Sequence, residues 1–282
     1  MQDYEKYLGL GIAGNFAQHL EQAGELEDFK NVVTKEEAAP KGIFPFYLPL
    51  EQNVSSERPR EMLSLFPLSS DTLELPKEDV NVQAEPEVVL ACELTYENDK
   101  LVHIMPVEFG AYNDASIRIA GAQKISDKKN WGTNTKGIAA DLLPLDAFDK
   151  EGMMKSYSIC SFLRREDELY AYGENAALND YTYFHQKLLD WIVEQVNTQE
   201  DFGPLEDIKS YIKTANNPKN MLISIGATRY TPYGESTYLQ SGDEIIIVVY
   251  DHNIYNYEDI ETMLQQKEYD KPAMSLLAQR VL

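Results

Sequence analysis

The sequence is short of basic residues: 25 Lys and Arg stand against 47 Asp and Glu in 282 residues, a formal net charge of −22. That balance repels phosphate backbones and anionic membrane surfaces, which argues against nucleic acid and membrane as partners. The acidity itself points to no function, because a solvated acidic surface that keeps a protein soluble accounts for it. Cysteine is scarce as well. Cys92 and Cys160 lie in apolar, strand-like runs (VVLACEL and YSICSFL) and read as buried free thiols of a reducing compartment, the cytoplasm, rather than as a disulfide framework. There is no Cys/His cluster to hold zinc. Long apolar runs are missing: the longest, IIIVVY at 245–250, has strand length and falls well short of the roughly 18 residues of a membrane span. The opening MQDYEKYLGL lacks a basic stretch followed by an apolar one, so no secretory signal is expected. Internal repeats and low-complexity tracts are also lacking.

The length allows two domains or one large β-rich one. From 35 to 80 the chain is rich in Pro, Glu and Ser (KEEAAPKGIFPFYLP, SSERPREM, LPKEDVNV), which suits irregular connections and short elements and places a subdomain joint there. Beyond 85, EVVLACELTY and LVHIMPVEF flank ENDK and read as a hairpin; SYSICSFLRRE and ELYAYGE form a second such region. In YTYFHQKLLDWIVEQVN, Phe184, Leu188, Trp191, Ile192 and Val196 recur at helical spacing, which predicts a packed helix over 181–197 with Asn179 or Asp180 as its N-cap. The last third is again strand-rich, with SGDE as a tight turn. The expected class is α+β, dominated by a sheet, with most helix near the start and at 181–197.

Two motifs compete. LGLGIAGN contains a G-x-G-x-x-G at Gly9, Gly11 and Gly14, but a dinucleotide site needs a preceding buried strand and a closing βαβ unit. Here the chain before it is short and polar, and the chain after it runs into the Pro-rich region. The preferred reading is glycines that permit a tight turn beside a ligand site. The second motif is Glu85-Pro86-Glu87, opening an apolar run. Residues two apart in a strand project from one face about 6.5–7 Å apart, so both carboxylates can converge on one cation. Pro86 fits only at an edge or a strand start. Hard oxygen ligands suit magnesium, manganese or calcium rather than zinc. A lone E-x-E is common at solvated strand ends; its sequel is what raises it. FGAYNDASIRIA brings Asn113, Asp114, Ser116 and Arg118, and NWGTNTKGIAAD brings Lys136. Three carboxylates would overcharge a divalent ion by one, and a nearby Lys and Arg would compensate and grip an anionic substrate. Taken singly, Lys136 and Arg118 also fit ordinary surface cations.

The order of these motifs resembles the fumarylacetoacetate hydrolase superfamily, whose catalytic domain shows an E-x-E strand, N-D-x-S-x-R, a Trp followed by Lys-Gly, a Gly-Thr strand and an L-x-x-G-D-E turn. They stand here as Glu85-Pro86-Glu87, Asn113 to Arg118, Trp131 with Lys136-Gly137, Ile225-Gly226-Ala227-Thr228, and Leu239 to Glu244. Gly14 to Gln22 resembles the family's lid segment. The resemblance implies a mixed β-sandwich roll, with residues 1–80 as an N-terminal subdomain carrying the lid and 81–282 as the catalytic domain. It implies Glu85, Glu87 and Asp114 as ligands of magnesium (or manganese or calcium), and Lys136 as the group that stabilises enolate or oxyanion charge. His19 becomes the lid base with Glu21 beside it, and Arg118, Gln22 and Thr228 become substrate-binding residues. It also implies a homodimer.

The chain departs from the pattern at Gln22, where the family's lid carries Glu; at Ile119, where an Asp commonly follows the Arg; and at Ala227, with Thr228 one place on. C–C hydrolysis, decarboxylation, isomerisation and hydration of a small diketo or 2-oxo acid therefore stay open. The competing classes are a non-catalytic descendant that keeps the metal site and a nucleotide-dependent oxidoreductase. His103, His185 and His252 read as structural or surface residues; of the tyrosines, Tyr230, Tyr233, Tyr238 and Tyr250 are pocket-lining candidates.

Overall fold

The computed structural model describes residues 3–50, 61–119 and 121–282. Residues 51–60 of the expected joint lie outside the described residues, as do Met1 and Gln2 of the opening segment. In chain order the strands are β1 (Leu8–Ala13), β2 (Gly42–Tyr47), β3 (Leu68–Ser69), β4 (Thr72–Leu73), β5 (Asn81–Gln83), β6 (Pro86–Glu97), β7 (Lys100–Asn113), β8 (Ser116–Arg118), β9 (Lys136–Ile138), β10 (Leu143–Pro144), β11 (Tyr157–Arg165), β12 (Glu168–Ala177), β13 (Asn220–Ser224), β14 (Glu244–Asp251) and β15 (Met274–Val281). The helices are α1 (His19–Gln22), α2 (His185–Thr198), α3 (Ile208–Thr214), α4 (Pro232–Ser236) and α5 (Tyr257–Gln265). This is the expected α+β architecture dominated by sheet.

A mixed sheet runs β2-β1-β13-β6-β7-β9-β3, with β10 on β7; a second runs β12-β11-β14-β15-β4; β5 and β8 form a small third pair. The β6–β7 hairpin turns at Asn98 and Asp99, both at positive φ, which a tight hairpin loop requires and Asn and Asp tolerate. Period two then sorts the side chains of β6. Val88, Leu90 and Cys92 join a core shared with Ile159, Ile245, Ile247 and Leu277 of the second sheet, while Val89 and Ala91 join a core on the opposite face with Tyr112, Leu222 and Phe46. The β11–β12 hairpin turns in the same way at Glu166 and Asp167.

The structure corrects four expectations. Helix is sparse near the start, where α1 spans four residues; α3, α4 and α5 lie in the last third. The 181–197 helix begins at His185 with Phe184 at its N-cap, because Leu178–Asp180 form a separate 3-10 turn. GIFPFY is a buried strand, tolerating Pro45 because β2 is the edge of its sheet and its pairing with β1 shifts register there. Two of the three motif glycines serve packing: a Cβ at Gly9 would lie 2.4 Å from the Phe46 ring and one at Gly11 2.3 Å from the Phe44 ring. Only Gly14, at φ +76°, makes the turn. The strand that follows, β2, pairs antiparallel with β1, so no βαβ unit forms around the glycines.

Candidate functional site

Glu85 and Glu87 flank Pro86 at the start of β6, on the face that carries Val89 and Ala91. Asp114 follows β7 on the same face as Tyr112, since Glu87 pairs with Tyr112 and Pro86 with Asn113. Three bonds fix this corner. The Asp114 amide donates to the Glu85 carbonyl at 3.0 Å, the Glu85 amide donates to Asn113 Oδ1 at 3.2 Å, and Asn113 Nδ2 donates to Gln279 Oε1 at 3.0 Å. One carboxylate oxygen from each of Glu85, Glu87 and Asp114 then lies within 4.8 Å of the others, and all three residues are buried. The chain after β13 runs along β6 and turns at Gly226, φ +112°, whose amide donates to Glu87 Oε2 at 2.9 Å.

Cations crowd around this triad. Lys129 Nζ lies 2.7 Å from Glu85 Oε2 and 2.6 Å from Asp114 Oδ2; Lys136 Nζ lies 2.8 Å from Asp114 Oδ1 and donates to the Ala115 carbonyl at 2.7 Å. Arg118 bridges Glu85 and Glu25 at 2.9 and 3.0 Å, and Lys128 reaches Glu25 at 2.7 Å. Burial pushes the Glu85 carboxyl up, but Lys129 and Arg118 outweigh it and hold it well below the usual carboxylate range. Glu87 goes the other way: burial and Asp114 raise it well above that range, against Lys129 and the Gly226 amide. Burial lowers the Lys136 ammonium to about 8 despite Asp114 beside it.

His19, at the start of α1, is buried, and its Nδ1 lies 2.9 Å from the Thr228 carbonyl. A carbonyl only accepts, so Nδ1 carries the proton and Nε2 keeps its lone pair. Burial lowers the His19 pKa, partly offset by Glu85. Asn15 fastens the segment by donating to the Tyr183 and Ile225 carbonyls at 3.0 and 2.9 Å. Gln22 clamps the Tyr230 backbone, donating to its carbonyl at 3.1 Å and accepting from its amide at 2.9 Å. The enclosed space lined by His19, Glu25, Glu85, Glu87 and Lys129 is about 10 Å³, close to what one water needs.

The sequence-chosen residues thus divide. Glu85, Glu87, Asp114, Lys136, Arg118, His19 and Thr228 come together, whereas Glu21 is exposed and Gln22 holds the Tyr230 backbone rather than His19. A backbone carbonyl orients the imidazole in their place. The Thr228 hydroxyl donates to the Pro86 carbonyl at 3.2 Å. Of the candidate tyrosines, Tyr230 meets the site: its ring centroid is 5.2 Å from that of His19, and its hydroxyl accepts from Arg118 at 3.2 Å.

A model of the family of unknown function DUF5718 matches residues 25–281. The chain belongs to DUF5718. No curated protein matches the sequence. Solved structures do match the fold. The inhibitor-bound crystal structure of Cg1458 superposes with a TM-score of 0.54 at 14% identity, over 98% of this chain and 76% of that one. A 2-keto-3-deoxy-D-arabinonate dehydratase complexed with magnesium and 2,5-dioxopentanoate gives 0.52 at 12%, over 97% and 72%. A 5-carboxymethyl-2-hydroxymuconate delta-isomerase from Mycobacterium smegmatis gives 0.52 at 11%, over 98% and 78%. This DUF5718 chain shares the fold of these solved structures.

Sequence reasoning on this DUF5718 chain missed Lys128 and Lys129. Lys128 ends the 3-10 turn Ile125–Lys128 and Lys129 follows it; Asp127 secures the turn by accepting from the Gln123 and Lys124 amides at 3.1 and 2.9 Å. The available signal was a Lys-Lys pair just before Trp131 in a chain poor in cations.

Proposed function

We propose that the chain is a metal-dependent hydrolase of a C–C bond, or a lyase, acting on a small diketo or 2-oxo acid. The observation that carries the reading is the buried convergence of Glu85, Glu87 and Asp114 with Lys136 and Arg118 at their edge. The donor set fits a hard divalent ion: three buried carboxylates each bring one oxygen within mutual reach, and the Gly226 amide orients Glu87. Magnesium, manganese or calcium would be held by these three residues and would supply Lewis-acid polarisation of a substrate carbonyl.

The rest falls to the chain's own side chains. His19 Nε2 is free to take a proton from water or substrate, with its tautomer fixed by the Thr228 carbonyl. The Lys136 ammonium, fully buried, is positioned to stabilise developing oxyanion charge. Arg118 offers a guanidinium fork to a substrate carboxylate, after release from Glu25 or Glu85. The 10 Å³ interior admits a multi-atom acid only when part of its lining moves.

The test is a screen of acylpyruvates and oxaloacetate with magnesium. His19→Ala is expected to lose about a hundredfold in turnover, the scale of a general base. Lys136→Met should lose turnover far more than metal affinity. Undiminished turnover by His19→Ala would remove the lid base from the mechanism. A second reading, a non-catalytic descendant that retains the site, is favoured by the closed interior and by Arg118, whose Nε, Nη1 and Nη2 all have protein partners. It predicts metal binding without turnover of any acid in the screen. Assembly as a homodimer belongs to the same proposal and is checked by sedimentation equilibrium.

A further inference from the structure

The site already contains a cation where a metal would sit. Lys129 Nζ bridges Glu85 Oε2 at 2.7 Å and Asp114 Oδ2 at 2.6 Å, two of the three carboxylates that converge within 4.8 Å. Its side chain is 4% exposed and its ammonium lies 5.1 Å over the Phe44 ring, so protein, not water, surrounds it. Lys136 differs: it contacts Asp114 alone within the triad, and its ammonium also donates to the Ala115 carbonyl. The charges close without an added ion. Glu25, Asp28, Glu85 and Asp114 pair with Arg118, Lys128, Lys129 and Lys136, four against four, while burial and Asp114 favour the neutral form of Glu87. A divalent ion held by the triad with Lys129 still in position would put two cations on the same two carboxylates and leave the buried cluster with excess positive charge.

We propose that Lys129 is a resident counter-ion that competes with the divalent cation for Glu85 and Asp114, so that metal binds only as the ammonium leaves. The inference rests on the reading of the triad as a metal site. A resident competitor lowers the apparent affinity by the fraction of molecules whose carboxylates are free. It also keeps the carboxylates paired when metal is absent, which avoids the cost of an uncompensated buried charge.

The experiment is a magnesium titration by calorimetry of wild type, Lys129→Gln and Lys136→Gln. Lys129→Gln should bind magnesium at least about tenfold more tightly than wild type, because the competing state is removed. Lys136→Gln removes the same unit charge without vacating the bridging position, and should gain clearly less. Wild-type binding with an unchanged Lys129→Gln affinity would overturn the competition and leave the metal site standing. An equal gain in both variants would also overturn it, since general electrostatics would then account for the effect. Absence of magnesium binding in all three would overturn the metal reading and the competition together. Should Lys129→Gln fail to fold, wild type alone decides. The ammonium signal of Lys129 in nitrogen-15-labelled protein, assigned by its loss in Lys129→Arg, should shift or vanish on saturation with magnesium, and an unmoved signal in a protein that binds the ion would contradict displacement.

Discussion

The two large sheets handle charge in opposite ways. The second sheet buries β14 from Ile245 to Tyr250 among apolar neighbours, with α5 covering one face through Ile260 and Leu264. Its ion pairs at the rim each keep one partner partly exposed: Glu244, 27% exposed, with Arg164, 8%, and Arg165, 26%, with Asp243, 3%. The first sheet instead gathers Glu85, Glu87, Asp114, Lys129 and Lys136 at the β6–β7 corner, all buried. Ion pairs at a rim cost little to form and contribute little. A buried cluster is expensive to desolvate, and hydrophobic residues of like volume would serve stability as well or better, so stability does not account for its presence.

Removing single charges sharpens this contrast. Asp114→Ala would leave Lys129 and Lys136 buried without their shared counter-charge, and should cost about 3–5 kcal/mol by urea denaturation. Glu244→Gln at the rim should cost at most about 1 kcal/mol. Equal losses would erase the distinction between the two regions. The next effect comes from the apolar side. Ile246→Ala, in the core beneath α5, should cost about 2–5 kcal/mol through lost burial and a cavity, while leaving magnesium affinity unchanged. A changed affinity would mean that the second sheet is coupled to the charged corner.

Smaller effects probe the lid. An amide at Gln22 both donates to and accepts from the Tyr230 backbone, and a carboxylate cannot donate. Gln22→Glu should therefore destabilise by about 1–3 kcal/mol instead of restoring a family-like His-Glu pair. The smallest effect concerns His19, whose pKa burial lowers from the ordinary 6.5. The unfolded chain then binds the proton more readily than the folded one. The stabilising contribution of neutral His19 is complete above pH 6.5 and is lost as pH falls through the lower folded value. Stability should thus fall more steeply below pH 6.5 in wild type than in His19→Gln, and parallel pH profiles would contradict the buried neutral imidazole.

Legibility followed the reach of local rules. The β6–β7 and β11–β12 hairpins and the apolar stripe of α2 were readable because alternation, helical spacing and turn residues act within a few positions. The carboxylate pair was readable for the same reason, as residues two apart on one strand. Asn256 and Asp259 cap α5 reciprocally at 2.9 Å each, a local signal that was present and overlooked. The partners of Lys129 were not readable. They depend on a loop held to the 200–206 segment by the Ile125 amide and Ser126, which donate to the Pro204 carbonyl at 3.1 Å and to Glu206 at 2.8 Å. No spacing in the sequence encodes that approach. The orienting carbonyl of Thr228 was likewise invisible, since a motif of side chains does not say which backbone groups it will face.

The central claim is that Glu85, Glu87 and Asp114 together hold a divalent ion. Crystals grown with manganese test it directly through anomalous scattering. The account predicts one strong peak per chain within about 2–2.6 Å of an oxygen from each of the three carboxylates, with Lys129 moved off Glu85 and Asp114. A manganese peak confined to surface carboxylates, with the Lys129 bridge intact at saturating metal, would contradict it.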